Sequence, residues 1–234
     1  MRKSNSPRLL DRRLLLITGS SLALTACGSL DKLIGPPDAP QIYALRPAAP
    51  AAQPSGSKVG WALAIQKPDA PGNLDSARIA LSRSGNQLDY YANAAWPDRL
   101  PDLVQTALLA GFEASGRIDA VSRDDDALQS DYQLSTDLRD FEGRYATPNG
   151  APEAAVTIIA HISDTKSRKI LANLTVNLTE PASANSVDAV VQALNAALAK
   201  AVNQIVQWAL ALPPPAGPVA EPTAAAPTRP SRAP

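Results

Sequence analysis

The stretch VTIIAHISDTKSRKILANLTVNL, residues 156–178, decides the fold. Two runs of alternating residues flank the polar segment 164–169. The apolar positions of these runs are Val156, Ile158, Ala160 and Ile162, then Ala172, Leu174, Val176 and Leu178. A period of two with one polar face is typical of a strand whose other face is covered. The stretch therefore predicts a long antiparallel hairpin with a turn at 164–169.

Further strands extend this hairpin into a sheet. Alternation predicts a strand with Tyr132, Leu134, Thr136 and Leu138 on one face. Shorter strands are predicted at 42–45, 61–66, 78–82, 87–92 and 117–121. The Gly85-Asn86 pair between two of them suits a hairpin turn.

Two amphipathic helices are predicted to cover the sheet. The first spans about 98–115, with Asp98 as its N-cap, Pro101 in its first turn and Gly116 at its end. The second spans about 186–210 and starts at Ser186. Its apolar stripe comprises Val187, Val190, Val191, Leu194, Leu198, Ala201, Val202, Ile205 and Trp208. The order of elements predicts a single α+β domain whose mostly antiparallel sheet is covered on one face by both helices.

The N-terminus has the layout of a lipoprotein signal peptide, residues 1–26. Five basic residues and one acidic residue precede 13 apolar or small residues, 14–26. This run is shorter than the roughly 20 residues that a membrane-spanning helix needs. It ends in the lipobox Leu24-Thr25-Ala26-Cys27, which predicts cleavage between Ala26 and Cys27. The pair Arg12-Arg13 leaves open whether export is general or twin-arginine.

Cys27 is the single cysteine of the chain, so no disulfide can form within it. Its predicted role is to carry covalent acyl chains such as palmitate, two or more of which anchor a protein stably. Gly28 stands where aspartate would signal retention at the inner membrane. The sequence therefore favours the periplasmic face of the outer membrane over the inner membrane.

Composition divides the rest of the chain. Residues 27–40 are predicted to be a lipid-anchored flexible tether and 41–212 the folded domain. Residues 213–234 contain eight prolines and are predicted to be a disordered tail. Of 22 positive and 22 negative residues, five and one lie in the signal peptide, which leaves a net charge of −4 after cleavage. No basic surface for nucleic acid is indicated.

The sequence shows no catalytic constellation. His161 is the only histidine and falls on the polar side of a strand, as a surface residue would. Asp124-Asp125-Asp126 lacks the alternate spacing of a calcium loop and is interpreted as a solvated loop. We predict no enzyme activity, no metal site and no cofactor apart from the lipid on Cys27.

Short motifs in a fixed order resemble the ABC-type transport auxiliary lipoprotein family, the PqiC-like proteins. A Tyr-x-Leu strand, Tyr43 and Leu45, follows the lipobox. A strand ending near proline, 61–68, comes next. A segment of the type Leu-Asp-x-x-x-Ile then matches Leu74, Asp75 and Ile79, and a tyrosine-bearing strand with Tyr90 and Tyr91 precedes Trp96 at a helix start. Pro97 and the proline-rich tail depart from the pattern. The resemblance covers about 41–210.

The resemblance implies a non-enzymatic accessory role in an envelope transport system. Its partners would be a substrate-binding protein of the mammalian-cell-entry (MCE) type and an ABC ATPase or permease, or a related membrane protein. The lipoprotein would dock this system at the outer membrane for lipid trafficking. The oligomeric state stays open, a homo-oligomer included. An alternative of another class is an autonomous lipid or small-molecule carrier that holds its ligand between the sheet and the helix at 186–210.

Overall fold

The computed structural model describes residues 39–47, 56–83, 87–126 and 128–214. Those from Pro40 onward belong to one compact unit. The strands are β1 (Gln41–Ile42), β2 (Leu63–Ile65), β3 (Arg78–Arg83), β4 (Gln87–Ala95), β5 (Val121–Arg123), β6 (Tyr132–Tyr145), β7 (Glu153–Asp164) and β8 (Ile170–Pro181). The helices are α1 (Leu100–Ser115) and α2 (Val187–Leu210), with a 3-10 turn at Asp124–Asp126.

Strand β6 is the centre of an eight-stranded mixed sheet. One edge of β6 pairs with β7 in antiparallel register, and β7 pairs in turn with β8. The other edge is shared, since β2 pairs with its first half and β3 with its second half, both in parallel. Strands β5, β4 and β1 complete the sheet. The predicted α+β domain and its mostly antiparallel sheet are confirmed, and the short strands add the parallel pairs.

The 156–178 hairpin forms as predicted and extends further at both ends. Val156 pairs with Leu178 and Ile162 with Ala172. The apolar positions of β7 face inward, and Val156, Ile158, Ala160 and Ile162 are all 0% exposed.

A bulge in β6 reverses which residues face the core. The register against β7 shifts between Leu138 and Asp140, so Arg139 has no opposite residue. Before the bulge, Leu134 and Leu138 are buried; after it, Phe141 takes the inward position. The extra residue changes the phase of the alternation, which is why the sequence pattern ends at Leu138 although the strand continues to Tyr145.

The helices cover the inner face of the sheet. Helix α2 packs mainly on β7 and β8, while α1 packs on α2 and on the β2–β5 side. Ser186 caps α2 as predicted, because its Oγ accepts a hydrogen bond from the Ala189 N–H at 3.3 Å. By length and composition, α2 could span a bilayer, but 61% of its most apolar window is buried in the fold.

Three local predictions need correction. Asp98 is not the N-cap of α1, since the cap residue is Arg99 and Asp98 Oδ1 accepts from the adjacent Arg99 N–H at 2.7 Å. The first free donor of the helix, the Leu100 N–H, is instead satisfied by the Ser76 carbonyl at 3.0 Å. The strand predicted at 117–121 forms at Val121–Arg123, and the one predicted at 42–45 is reduced to Gln41–Ile42. Gly116 does end α1, with a left-handed φ of 62°.

Candidate functional site

The family-motif residues around the start of α1 form part of the core. Leu74, Ile79 and Trp96 are at most 2% exposed and belong to one apolar cluster. The Trp96 ring meets Phe141 of β6 edge to face, with ring centroids 6.2 Å apart. Its backbone N–H donates to the Ala77 carbonyl at 2.7 Å. These motif positions therefore join the β3–β4 hairpin, α1 and β6, and their side chains make apolar packing contacts.

Asp75, the charged residue of this motif, pairs with Arg99. The Arg99 Nε donates to Asp75 Oδ1 at 2.8 Å, and its Nη2 donates to Oδ2 and to the Asp75 carbonyl. Both side chains are partly exposed. The hydrogen bonds from Arg99 lower the pKa of the Asp75 carboxyl below its ordinary value. The two-pronged contact fastens the loop before β3 to the residue that opens α1.

The other motif residues, Tyr43 and Leu45, fix the N-terminal segment to the domain. The Tyr43 N–H donates to the Ala95 carbonyl at 2.8 Å, next to the β1–β4 pairing. Tyr43 and Leu45 are half-buried and pack against the core. Burial, followed by the neighbouring Asp188 carboxylate at the start of α2, raises the pKa of the Tyr43 phenol.

Asn195 of α2 holds the next part of the N-terminal segment, residues 44–46. Its Oδ1 accepts from the Arg46 N–H at 2.6 Å, and its Nδ2 donates to the Ala44 carbonyl at 3.4 Å. The end of the chain that leads to the lipobox is thus held against α2 by side-chain and backbone hydrogen bonds. Cys27 and Ala26 themselves lie outside the described residues.

A polar cleft of about 370 Å³ lies between the β3–β4 hairpin and the start of α2. A hydrogen-bond chain forms its wall: the Tyr91 hydroxyl donates to the Tyr145 hydroxyl at 3.1 Å, which donates to Asn185 Oδ1 at 3.0 Å. The Arg83 guanidinium lies 5.8 Å from the centre of the Tyr145 ring. Burial and the Tyr145 hydroxyl raise the pKa of the Tyr91 phenol well above its ordinary value.

The face of the sheet away from α2 is open and largely uncharged along β7 and β8. We call this the open face. Its β7 and β8 residues are Thr157, Ile159, His161, Ser163, Asn173, Thr175, Asn177 and Thr179. His161 Nδ1 lies 3.3 Å from Asn173 Oδ1 and contacts no acid–base partner among the described residues. The interpretation of His161 as a surface residue agrees with this position.

The acidic run 124–126 forms an exposed 3-10 turn at the end of β5. Asp126 Oδ2 accepts from the Arg123 N–H at 3.0 Å, so this carboxylate closes its own turn. In the part of the chain that the structure describes, no three histidine, cysteine or acidic side chains come together as metal ligands would.

The contact between α2 and the sheet is filled by side chains. On the helix, Val190, Leu194, Leu198 and Ile205 are 0% exposed, as are Ile158 and Ile162 beneath them. A residue with no exposed surface has no water-sized space beside it. The place where the carrier alternative would put its ligand is thus occupied by packed apolar groups.

Comparison with known proteins identifies the class. The sequence model of the family described as "ABC-type transport auxiliary lipoprotein component" matches residues 43–206. The crystal structure of protein XCC0632 from Xanthomonas campestris, of the DUF330 family, is 31% identical and superposes with a TM-score of 0.66. The match covers 73% of this chain and 95% of that one. This chain belongs to the ABC-type transport auxiliary lipoprotein family.

Two other relatives give weaker evidence about this chain. An uncharacterized protein of solved structure is 16% identical with a TM-score of 0.59, over 74% of this chain and 99% of that one, and supports the fold alone. An uncharacterized protein of Bradyrhizobium diazoefficiens is 32% identical over 155 residues, or 66% of this chain. The chain spans about two-fifths of the length of that relative, 41%.

Family membership assigns the chain to a transport auxiliary component and to no enzyme family. Sequence reasoning missed Arg99 as the partner of Asp75 and the Tyr91–Tyr145–Asn185 chain. The alternating polar residues of β8 and their pairing with β7 in a hairpin were both predicted from the sequence.

Proposed function

We propose that this protein is the lipid-anchored periplasmic component that docks an ABC transporter of the MCE type at the outer membrane, for lipid trafficking between the two membranes. The observation that carries the proposal is the family match over 43–206, which falls on the folded domain directly after a lipobox. The motif residues of that domain are used for packing and for holding the N-terminal segment. The surface left for partners is an open sheet and a polar cleft, which suits binding to other proteins.

The anchor is the first part of the proposal. Acyl chains on Cys27 would hold the chain at the membrane, and residues 28–40 would give the domain reach. Thirteen residues, fully extended, span at most about 45 Å. Exchanging residues 1–27 for a signal peptide that is cleaved without lipidation should move the protein from the membrane fraction to the soluble periplasm. Density-gradient separation of the two membranes should place the wild type in the outer one; recovery with the inner membrane would contradict the docking site.

The partner is the second part. We expect crosslinking in intact cells, followed by pull-down through a C-terminal tag, to recover an MCE-domain protein together with an ABC ATPase or permease. The unlipidated form, made with a signal peptide that is cleaved without lipidation and released into the periplasm, is the matched control for dependence on the anchor. Repeated recovery of the tagged lipoprotein without any MCE or ABC component would reject the proposal.

A further inference from the structure

The strand β8 forms one edge of the sheet. It pairs with β7 along its length, and no other described strand lies on its second side. An edge strand presents a row of unpaired N–H and C=O groups that can pair with another chain.

One hydrogen bond fixes the orientation of the β8 backbone. The Ala182 N–H donates to the carbonyl of its opposite residue, Pro152, at 2.9 Å. In an antiparallel ladder, pairs that exchange hydrogen bonds alternate with pairs that do not. Counting back from Ala182 along the register, the even-numbered residues of 172–180 bond to β7. The odd-numbered residues Asn173, Thr175, Asn177 and Thr179 therefore point their N–H and C=O groups away from β7.

These four residues are exposed and uncharged. Natural edge strands are commonly protected by lysine, proline or a bulge. In β8, a register shift lies near Leu171 and a proline stands at 181. Between them, residues 172–180 contain one charge, Glu180, which faces inward and pairs with Lys200 of α2. The unprotected stretch is thus bounded at both ends and about nine residues long.

The inner side of this edge is incompletely covered. Leu174 and Leu178 face α2 but are only half-buried, in contrast to Val176 between them at 1% exposure. Ile170 and Leu171, at the start of the strand, are 64% and 50% exposed. A strand added beside β8 would bring alternate apolar side chains over Leu174 and Leu178.

We propose that the β8 edge binds an extended segment of a transporter component as an additional strand of the sheet. The segment would alternate apolar residues, packed beside Leu174 and Leu178, with uncharged polar residues beside Asn173, Thr175 and Asn177. Main-chain hydrogen bonds give such strand addition its affinity and side-chain pockets its specificity. This inference rests on the proposed function, which supplies a polypeptide partner. The chain's own tail does not suit the edge, because proline cannot donate to a ladder and residues 213–234 contain eight.

Two edge variants and one control test the proposal in the full-length lipoprotein. Asn177→Pro removes an outward N–H while leaving the bonds to β7 in place. The double variant T175K/T179K adds the charges that protect natural edges. The control Thr157→Lys places one such charge on the open face but on β7, inside the sheet. Thermal unfolding of each variant establishes that it folds. If Asn177→Pro does not fold, the double variant T175K/T179K is used alone to test the proposal.

The readout is the amount of MCE or ABC component recovered by crosslinking and pull-down. We expect both edge variants to lower recovery about tenfold, since Asn177→Pro leaves a carbonyl of the bound segment without its donor and T175K/T179K brings two charges against an uncharged segment. The control should stay within about twofold of the wild type, a difference of roughly 0.4 kcal/mol. Unchanged recovery with the edge variants would overturn the edge proposal and leave the docking function standing.

Three other outcomes would also overturn the edge proposal. An equal loss of recovery with Thr157→Lys would assign the contact to the open face and overturn the edge proposal. A wild-type dimer by light scattering that Asn177→Pro dissociates, with component recovery unchanged, would assign the edge to a second copy of this chain. No component recovered with the wild type would reject the docking function, and the edge proposal with it.

Discussion

The Tyr91 hydroxyl occupies the space where a side chain on Gly143 would lie. A Cβ placed on Gly143 would be 2.4 Å from that oxygen and 3.1 Å from Val190 Cγ1 of α2. Glycine in the middle of a strand normally weakens it. Here the absence of a side chain on Gly143 leaves room for Tyr91 of β4 to donate a hydrogen bond to the Tyr145 hydroxyl. This hydrogen bond joins the β3–β4 hairpin to the central strand β6.

Gly143→Ala should therefore destabilise the domain. Overpacking of this kind costs about 1–3 kcal/mol in the free energy of unfolding, measured by urea denaturation. In a Tyr91→Phe background the same substitution should cost less, because the closest atom is gone. Gly72→Ala is the matched control, since a Cβ at Gly72 meets nothing within 4 Å; we expect a change within about 0.5 kcal/mol. A Gly143→Ala protein as stable as the Gly72→Ala control would contradict the role assigned to the glycine.

The crossing of the two helices depends on Gly111 in the same way. A Cβ there would lie 2.3 Å from Val202 Cγ1 of α2. Alanine favours a helix over glycine by about 1 kcal/mol, but the clash should dominate, so Gly111→Ala should lower the free energy of unfolding by about 1–3 kcal/mol. In a Val202→Ala background the sign should reverse, because the space is vacated and only the helix preference remains. The same destabilisation in both backgrounds would show that Val202 is not the obstacle.

The Asp75–Arg99 pair predicts a specific acid dependence. Arg99 lowers the folded-state pKa of Asp75, so the unfolded chain binds a proton at higher pH than the folded one. The stabilisation is thus fully present above the ordinary carboxyl pKa of about 3.9 and is lost as pH falls through the lower folded value. Thermal midpoints measured from pH 2 to pH 7 should be lower for Asp75→Asn than for the wild type near neutrality, and the difference should vanish at the acid end. A difference that is constant with pH would mean that Asp75 acts by packing alone.

The sequence predicted the elements that depend on local pattern. The 156–178 hairpin, the cap at Ser186 and the end of α1 at Gly116 all follow from residue type and spacing, and all are present. The prediction stopped at Leu138 in β6 because the bulge at Arg139 shifts the alternation. Asp98 failed as a cap because the Ser76 carbonyl, distant in sequence, already satisfies the first donor of α1.

The candidate sites were harder to predict, because they depend on neighbours rather than on pattern. Leu74, Ile79 and Trp96 could be singled out only through the family resemblance, and their common core became visible in three dimensions. The alternation of Asn173, Thr175 and Asn177 was apparent in the sequence. That their backbone groups face an empty edge depends on β7 being the single partner of β8 among the described strands.

The most direct measurement is photo-crosslinking from position 175 in intact cells, compared with position 157 on the neighbouring strand. A crosslinkable amino acid at Thr175 should give an adduct that mass spectrometry identifies as an MCE or ABC component of the transport system. The adduct from Thr157 should be scarce. If neither position gives an adduct with a transporter component while the lipoprotein is present in the membrane, a docking role through this sheet is contradicted.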